Sequence, residues 1–229
     1  MPDPAGVDVV LFDMDGTLLD SQQALLGAFR DATTEVLGAP FPIEREDADR
    51  VIQLSSKDVF PELAGGDREA AKRIEESFQR SYRGRTDELT LFPGVREMLA
   101  ALHEEVDTLG VVTSKSRVRL DRDLEQNDIA HLLDVTVCGD EVPVAKPDPG
   151  PIIAAMEMLS VKPAGVLYVG DGANDVIAAH SAGIRVVGAG YGFHPEACRA
   201  AGPDHWIEAP IDLLRIVGSI RAATSSSTT

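Results

Sequence analysis

Residues 7–17 read VDVVLFDMDGT, an apolar run that ends in two aspartates separated by one residue and followed by glycine. A short apolar run bounded by turn residues is typical of a buried strand. Carboxylates at the mouth of such a strand are costly unless a cation or a reaction needs them. The stretch therefore predicts a parallel strand, Val7 to Asp13, with Asp13 and Asp15 as candidate functional residues. A solvated turn is the alternative, since Asp and Gly favour turns.

Four more apolar runs follow along the chain and alternate with amphipathic segments. We interpret these runs as strands at Leu109–Thr113, Val135–Cys138, Val166–Asp171 and Arg185–Gly188. Between them, apolar residues recur at the three-to-four-residue spacing of a helix that buries one face. Strands that alternate with helices predict an α/β fold with a doubly wound parallel sheet, whose ligands bind at the carboxyl ends of the strands.

Residues 19–89 interrupt this alternation, because they contain no convincing strand. Their apolar residues recur at helical spacing instead. We therefore predict an all-helical cap over residues 19–89, inserted into an α/β core of residues 1–18 and 90–223. The tail, residues 224–229, consists of Ser and Thr only, and we predict that it is disordered.

The composition limits the classes of function. The chain has 229 residues, of which 44% are hydrophobic and 26% charged, as in a folded globular protein. Its 38 acidic residues against 21 basic ones give a formal net charge of −17, which opposes binding to nucleic acid and to anionic membranes. No apolar run approaches the ~20 residues of a membrane helix, and residues 1–8 lack the layout of a secretory signal. We expect a cytoplasmic monomer or homodimer in which Cys138 and Cys198 are reduced.

A second acidic segment, residues 170–175, reads GDGAND and follows a predicted strand. The carboxyl ends of parallel strands share one edge of the sheet, so Asp171 should lie near Asp13. Oxygen ligands suit hard cations, and these two carboxylates could clamp Mg²⁺. The alternative is that Asp175 or Asn174 acts only as a helix N-cap.

Two further polar residues follow predicted strands. Thr113 ends one of them, and Lys146 stands in the sequence VAKPDP at residues 144–149. A hydroxyl, an ammonium and a metal beside two carboxylates make a phosphate pocket, and they supply locally the positive charge that the whole chain lacks. Taken singly, Thr113 is also a common residue for a strand end, and Lys146 a common surface residue.

The four elements together resemble the motifs of the haloacid dehalogenase-like hydrolase superfamily, and the resemblance covers nearly the whole chain. DMDGT at residues 13–17 is similar to the first motif of that family, Thr113 to the second, Lys146 to the third and GDGAND to the fourth. LFPGV at residues 91–95 is similar to the return from the helical cap in the phosphoglycolate phosphatase and β-phosphoglucomutase branch. The resemblance implies a Rossmann-like core and a Mg²⁺-dependent phosphatase that acts on a small phosphorylated metabolite, with phosphoglycolate as one candidate.

The resemblance also implies a role for each motif residue. Asp13 would attack phosphorus and form an aspartyl-phosphate, and Asp15 would act first as acid and then as base. The metal ligands would be the carboxylates of Asp13 and Asp171 and the backbone carbonyl of Asp15. Asp175 would have a supporting role, orienting Lys146 or a water near the metal. The candidate phosphate-binding and substrate-binding residues are Gly16, Thr113, Ser114, Lys146 and, in the cap, Lys57, with Arg83 or Arg85 as a further cap candidate.

Alternative activities remain open at this point. Dehalogenases of the family lack a residue like Asp15, and phosphonate-cleaving relatives usually have Ala there, so Asp15 favours phosphoester hydrolysis or phosphoryl transfer between sugar carbons. A phosphomutase of the β-phosphoglucomutase type is therefore the alternative enzyme. A phospho-accepting domain or a silent binding relative is the alternative from another class. The cap carries Gln53 where related caps usually carry Gly, and residues 188–192, GAGYG, are interpreted as a turn bordering the site.

Overall fold

The computed structural model describes residues 6–40 and 56–225. The chain forms two compact units, one that ends at Leu19 and resumes at Leu91, and one that runs from Asp20 to Thr90. The strands are β1 (Val9–Phe12), β2 (Leu19–Asp20), β3 (Thr90–Leu91), β4 (Thr108–Val112), β5 (Val135–Val137), β6 (Val166–Gly170), β7 (Arg185–Ala189) and β8 (His205–Ile207). The α-helices of the described residues are α1 (Gln22–Leu37), α2 (Ser56–Leu63), α3 (Arg68–Arg83), α4 (Val95–Glu105), α5 (Arg117–Gln126), α6 (Gly150–Leu159), α7 (Ala173–Ser181), α8 (Pro195–Ala200) and α9 (Asp212–Ser225).

A parallel sheet of six strands is the framework of the first unit, in the order β5-β4-β1-β6-β7-β8. All four residues of β1 are buried, which fits a central strand covered on both faces. Phe12 aligns with Val111 on one side and with Val169 on the other, so the three central strands end at a common level. The predicted α/β fold with a parallel sheet and a helical insertion is confirmed. Strand β8 was not predicted, because three residues that include His205 and Trp206 give no apolar run.

Helices pack their apolar faces on this sheet. Helix α4 lies against β4, α6 lies against β4 and β5, and α7 lies against β6 and β7. In α6, Ile152 and Met156 are buried, whereas Ile153 is 37% exposed because it lies one residue round the helix from the buried face. These helices leave the carboxyl ends of the strands to carry polar loops.

The described residues of the second unit, 20–40 and 56–90, are helical apart from turns and from Asp20 and Thr90, which lie in β2 and β3. Helices α1 and α3 pack against each other, and α2 packs on α3. Their interface contains Phe29, Phe60 and Phe78, with the rings of Phe29 and Phe78 4.5 Å apart between centroids. The side chain of Asp67 caps α3 by accepting the N–H groups of Glu69 and Ala70. Apolar spacing at three and four residues therefore accounts for this unit.

The end of the chain differs from one expectation. Helix α9 includes Thr224 and Ser225, which the sequence analysis placed in a disordered tail, and residues 226–229 lie outside the described residues. The helix continues past Ile220, a buried residue, because extending a formed helix by another turn is easy compared with starting one. Among the described residues, no helix is both long enough and apolar enough to span a bilayer.

Candidate active site

The loop after β1 is a tight turn that presents two carboxylates. The N–H of Asp13 donates to the carbonyl of Val169 at 2.9 Å, which continues the pairing of β1 with β6 for one residue. Gly16 then turns the chain with a φ of 83°, and a Cβ at this position would lie 2.3 Å from Oδ2 of Asp171. Glycine is therefore required at position 16 for two reasons, the left-handed backbone and the close approach of the second acidic loop.

Three carboxylates converge at the carboxyl edge of the sheet. Asp13, Asp171 and Asp175 each place an oxygen within 4.8 Å of the others. Burial, together with the carboxylates of Asp175 and Asp13, raises the pKa of Asp171 well above its ordinary value. Burial also raises the pKa of Asp13 to about 6, although Lys146 opposes this effect. Crowded, buried oxygen donors that repel one another suit a hard divalent cation, so these residues fit a metal of that type.

Lys146 contacts two of these three carboxylates. Its Nζ is 2.8 Å from Oδ1 of Asp13 and 2.6 Å from Oδ1 of Asp175, and it donates to the hydroxyl of Tyr168 at 2.9 Å. Burial disfavours the charge on Lys146, but Asp13 and Asp175 outweigh burial and raise the pKa of Lys146 well above its usual value. Lys146 is therefore a fixed cation that faces the first aspartate.

Asp175 has two contacts that fit a supporting role. One oxygen accepts from Lys146, and the other accepts the N–H of Gly172 at 3.1 Å, which satisfies a backbone donor at the start of α7. Capping and orientation of Lys146 therefore coexist in one side chain.

Tyr168 was not singled out from the sequence, and its signal would have been a lone hydroxyl in the otherwise apolar strand β6. Its hydroxyl also donates to the carbonyl of Val112 at 2.9 Å.

Thr113 follows β4 at the same edge of the sheet and is buried. Its N–H donates to the carbonyl of Val137 at 3.0 Å, and its Oγ1 accepts the N–H of Lys115 at 3.2 Å. Ser114 is half-buried, and its backbone packs so closely on Gly139 that a Cβ there would lie 2.5 Å from the Ser114 carbonyl oxygen. The end of β5 thus fixes the loop that carries both residues.

Asp15 is paired with a lysine that the sequence analysis missed. Nζ of Lys115 lies 2.9 Å from Oδ1 of Asp15 and also hydrogen-bonds Oδ2 of Asp123 on α5. The carboxylate of Asp15 is not one of the three that converge beside Asp13. The metal contact expected of Asp15 is through its backbone carbonyl, and that expectation stays a prediction. A carboxylate among the buried residues Leu120 and Leu124 was the available signal for a partner inside the protein.

The loop that follows β7 closes the other side of the acidic cluster. The N–H of Phe193 donates to Oδ2 of Asp171 at 2.7 Å, and the hydroxyl of Tyr191 donates to the carbonyl of Thr17 at 2.9 Å. At Gly192, a Cβ would lie 2.2 Å from Cβ of Asp171 and 2.4 Å from the carbonyl oxygen of Gly16. The segment interpreted as a bordering turn therefore holds both acidic loops in place.

We expect Gly192→Ala to lower kcat/KM for phosphate release about tenfold and to lower Tm, because the added methyl must displace the Asp171 or Gly16 loop. The matched control is Gly218→Ala in α9, where the same methyl meets nothing within 4 Å. That control should raise stability by about 0.5–1 kcal/mol and leave turnover unchanged, since alanine favours a helix over glycine. Equal turnover in the two variants would contradict the role given to Gly192.

The cap residues named from the sequence fall into two groups. Gln53 lies outside the described residues, and Lys57 lies in α2 with a side chain that is also outside them. Arg85 is engaged within its own unit, with ion pairs to Asp31 at 2.7 Å and to Glu88 at 3.0 Å. Its guanidinium also packs over Gly27, where a Cβ would lie 2.3 Å from Nη1. These contacts give Arg85 a role in holding α1 and α3 together.

Known proteins match this architecture along most of its length. Residues 10–189 match the family model of the haloacid dehalogenase-like hydrolases. The phosphoglycolate phosphatase of Vibrio vulnificus strain YJ016 is 33% identical over 223 residues, which cover 92% of this chain and 96% of that protein. The pyrophosphatase PpaX of Halalkalibacterium halodurans is 30% identical over 214 residues, covering 93% of this chain and 97% of that protein.

A solved structure shows the same likeness in three dimensions. The crystal structure of a "predicted phosphoglycolate phosphatase" from Haemophilus somnus superposes with a TM-score of 0.79 at 27% identity, covering 92% of this chain and 97% of that one. The family match spans the strand that bears Asp13 and the loops that bear Thr113, Lys146 and Asp171. The chain therefore belongs to the haloacid dehalogenase-like hydrolases, and within that family it is a phosphatase.

Proposed function

We propose that this chain is a Mg²⁺-dependent phosphatase that hydrolyses a small phosphorylated metabolite through an aspartyl-phosphate on Asp13, with phosphoglycolate as the first candidate substrate. The observation that carries the proposal is the position of Asp13. Its carboxylate lies 2.8 Å from the ammonium of Lys146, and it has an oxygen within 4.8 Å of oxygens of Asp171 and Asp175. A nucleophile beside both a fixed cation and a cation-binding cluster is the arrangement that phosphoryl transfer needs.

In the first step, an oxygen of Asp13 attacks phosphorus while the bond from phosphorus to the alcohol oxygen breaks. Asp15 donates a proton to the departing oxygen, and the product alcohol leaves. Lys146 offsets negative charge on the phosphoryl group and on Asp13, with Thr113 as hydrogen-bond donor to the phosphoryl oxygens. Mg²⁺, held by Asp13 and Asp171 with the carbonyl of Asp15, would supply further positive charge against the phosphate.

In the second step, Asp15 takes a proton from the water that attacks phosphorus. The bond between phosphorus and Asp13 breaks, which releases inorganic phosphate and restores the Asp13 carboxylate. Asp175 keeps Lys146 in position through both steps, because one of its oxygens contacts Nζ at 2.6 Å. Gly16 and Ser114 contribute backbone groups near the phosphoryl oxygens in this proposal.

The substrate class is supported by charge and by relatives. A chain with a net charge of −17 attracts a small phosphate only where positive charge is concentrated, and Lys146 provides such a point. Relatives that cover more than nine-tenths of the chain are named phosphoglycolate phosphatase and pyrophosphatase PpaX. Phosphoglycolate and pyrophosphate are therefore the first two substrates to compare.

The test is phosphate release from a panel of phosphoglycolate, pyrophosphate, hexose phosphates and nucleotides. In the presence of Mg²⁺, we expect one compound to release phosphate well above background and faster than the other compounds. Excess chelator should lower that rate at least about tenfold, and restored Mg²⁺ should recover it, because the acidic cluster needs a cation. An isomeric sugar phosphate without free phosphate would indicate a mutase instead. No reaction of the folded protein with any compound would contradict the proposal.

A further inference from the structure

A buried lysine faces the second aspartate of the first motif and has no part in the mechanism given above. The side chain of Lys115 is 0% exposed, and its Nζ lies 2.9 Å from Oδ1 of Asp15. The same Nζ hydrogen-bonds Asp123, whose side chain is also 0% exposed. The side chain of Asp15 is 19% exposed, so Asp15 is the one of these three charged residues that is open to the site.

The backbone of Lys115 is held on both sides. Its N–H donates to Oγ1 of Thr113 at 3.2 Å, and its carbonyl accepts the N–H of Gly139 at 2.9 Å. Asp123 is fixed in turn by α5, where Leu120 and Leu124 on the same face are buried. The ammonium therefore stands at a point set by the ends of β4 and β5 and by one helix.

The two aspartates of the motif have matching surroundings. Asp13 pairs with Lys146, and Asp175 backs that lysine. Asp15 pairs with Lys115, and Asp123 backs that lysine. A buried ion pair gives little net stability compared with apolar residues of similar size, so stability alone does not explain the second set. Because Lys115 contacts Asp15, the proposed acid, we infer that this second lysine and aspartate have a role in the reaction.

We propose that Lys115, backed by Asp123, is a positioning residue that fixes the carboxylate of Asp15 for proton transfer to the leaving oxygen. The inference rests on the proposed function, in which Asp15 is the acid. A carboxylate on a short side chain can turn about two bonds, and an acid turned away from the leaving oxygen loses its effect. The ammonium on Oδ1 restrains that rotation before substrate arrives.

The test compares two leaving groups. An alkyl phosphate needs a proton on its departing oxygen, whereas p-nitrophenolate departs without one. The variant Lys115→Met with Asp123→Leu removes both fully buried charges together, so that Asp123 is not left as a buried carboxylate without its lysine. We expect kcat/KM for the preferred alkyl phosphate to fall about 10-fold to 100-fold, with KM nearly unchanged, and kcat/KM for p-nitrophenyl phosphate to change less than about threefold.

Two reference variants distinguish a failure of the positioning role from a failure of the proposed mechanism. Asp15→Asn should show the same selective loss on the alkyl phosphate. Arg117→Met removes another ion-paired cation of α5, bound to Asp121 and Glu141, and it should leave the ratio of the two substrates at the wild-type value. If the double variant does not fold by circular dichroism, Lys115→Gln with Asp123→Asn removes the same two charges with a smaller change in shape and provides the same comparison.

Each outcome decides the matter. A selective loss in Asp15→Asn with a wild-type ratio in the Lys115 variant overturns the positioning role and leaves the proposed function intact. Equal losses on both substrates in the Lys115 variant also overturn it, since they indicate a general effect on the site. If Asp15→Asn leaves the ratio of the two substrates' kcat/KM values at the wild-type value, Asp15 is not the acid. That result would overturn both the proposed mechanism and this inference.

Discussion

Asp13→Asn is expected to lower kcat for phosphate release by about 10³-fold or more, since the amide has nearly the same shape as the carboxylate but is a poor nucleophile. The fold should survive the change. Burial raises the pKa of Asp13 to about 6, so the folded protein without metal disfavours the charge that Asn removes. We therefore expect the Tm of the metal-free variant at pH 7 to equal or exceed that of the wild type.

The measurement is steady-state phosphate release together with intact-mass analysis after acid quenching. The wild type should carry a covalent phosphoryl group during turnover, and the variant should carry none. The matched control is Asp107→Asn, the same substitution at an exposed residue just before β4, at the opposite edge of the sheet from the site. A rate above one-tenth of the wild-type value in Asp13→Asn would rule out the aspartyl-phosphate mechanism.

Local patterns were sufficient to predict the sheet and the residues at its edge. The apolar run before Asp13 and the run before Asp171 both specify buried parallel strands, and the register puts their ends at one level. Once that is known, Asp13 and Asp171 must meet, and the structure brings Asp175 and Lys146 to the same point. Asp13, Asp171 and Asp175 come together because each follows a strand or lies in the first turn of the next helix, whereas Lys146 lies within the loop between β5 and α6 and not at the strand end that the sequence suggested.

Contacts that depend on distant pairs were not predictable in the same way. Asp123 occupies an inward position of α5, where a local pattern calls for an apolar residue, and Lys115 eight residues earlier makes it acceptable. Gly192 lacks room for a side chain only because the Asp171 and Gly16 loops approach it from other strands. Neither spacing nor propensity carries that information, since it arises when separate strand ends come together.

Lys146→Met is the second variant with a large expected effect. Three carboxylates converge at the site, and Lys146 contacts two of them, Asp13 and Asp175. Loss of the ammonium removes a fixed positive charge from the phosphoryl group, and kcat should fall about 10²-fold to 10³-fold. Removing one partner of a buried ion pair also costs about 3–5 kcal/mol of stability, so activity alone would not separate the two effects.

Mg²⁺ provides the separation, because the carboxylates of the variant face one positive charge fewer. We expect Mg²⁺ to raise the Tm of Lys146→Met by more than it raises that of the wild type, since at one concentration a ligand that binds the folded state more tightly stabilises it more. Lys162→Met is the control, since Lys162 is exposed and should change neither quantity. Equal Tm increases in Lys146→Met and wild type would mean that Lys146 does not share its carboxylates with the metal, and Asp13 would then have to be assigned to only one of its two proposed partners.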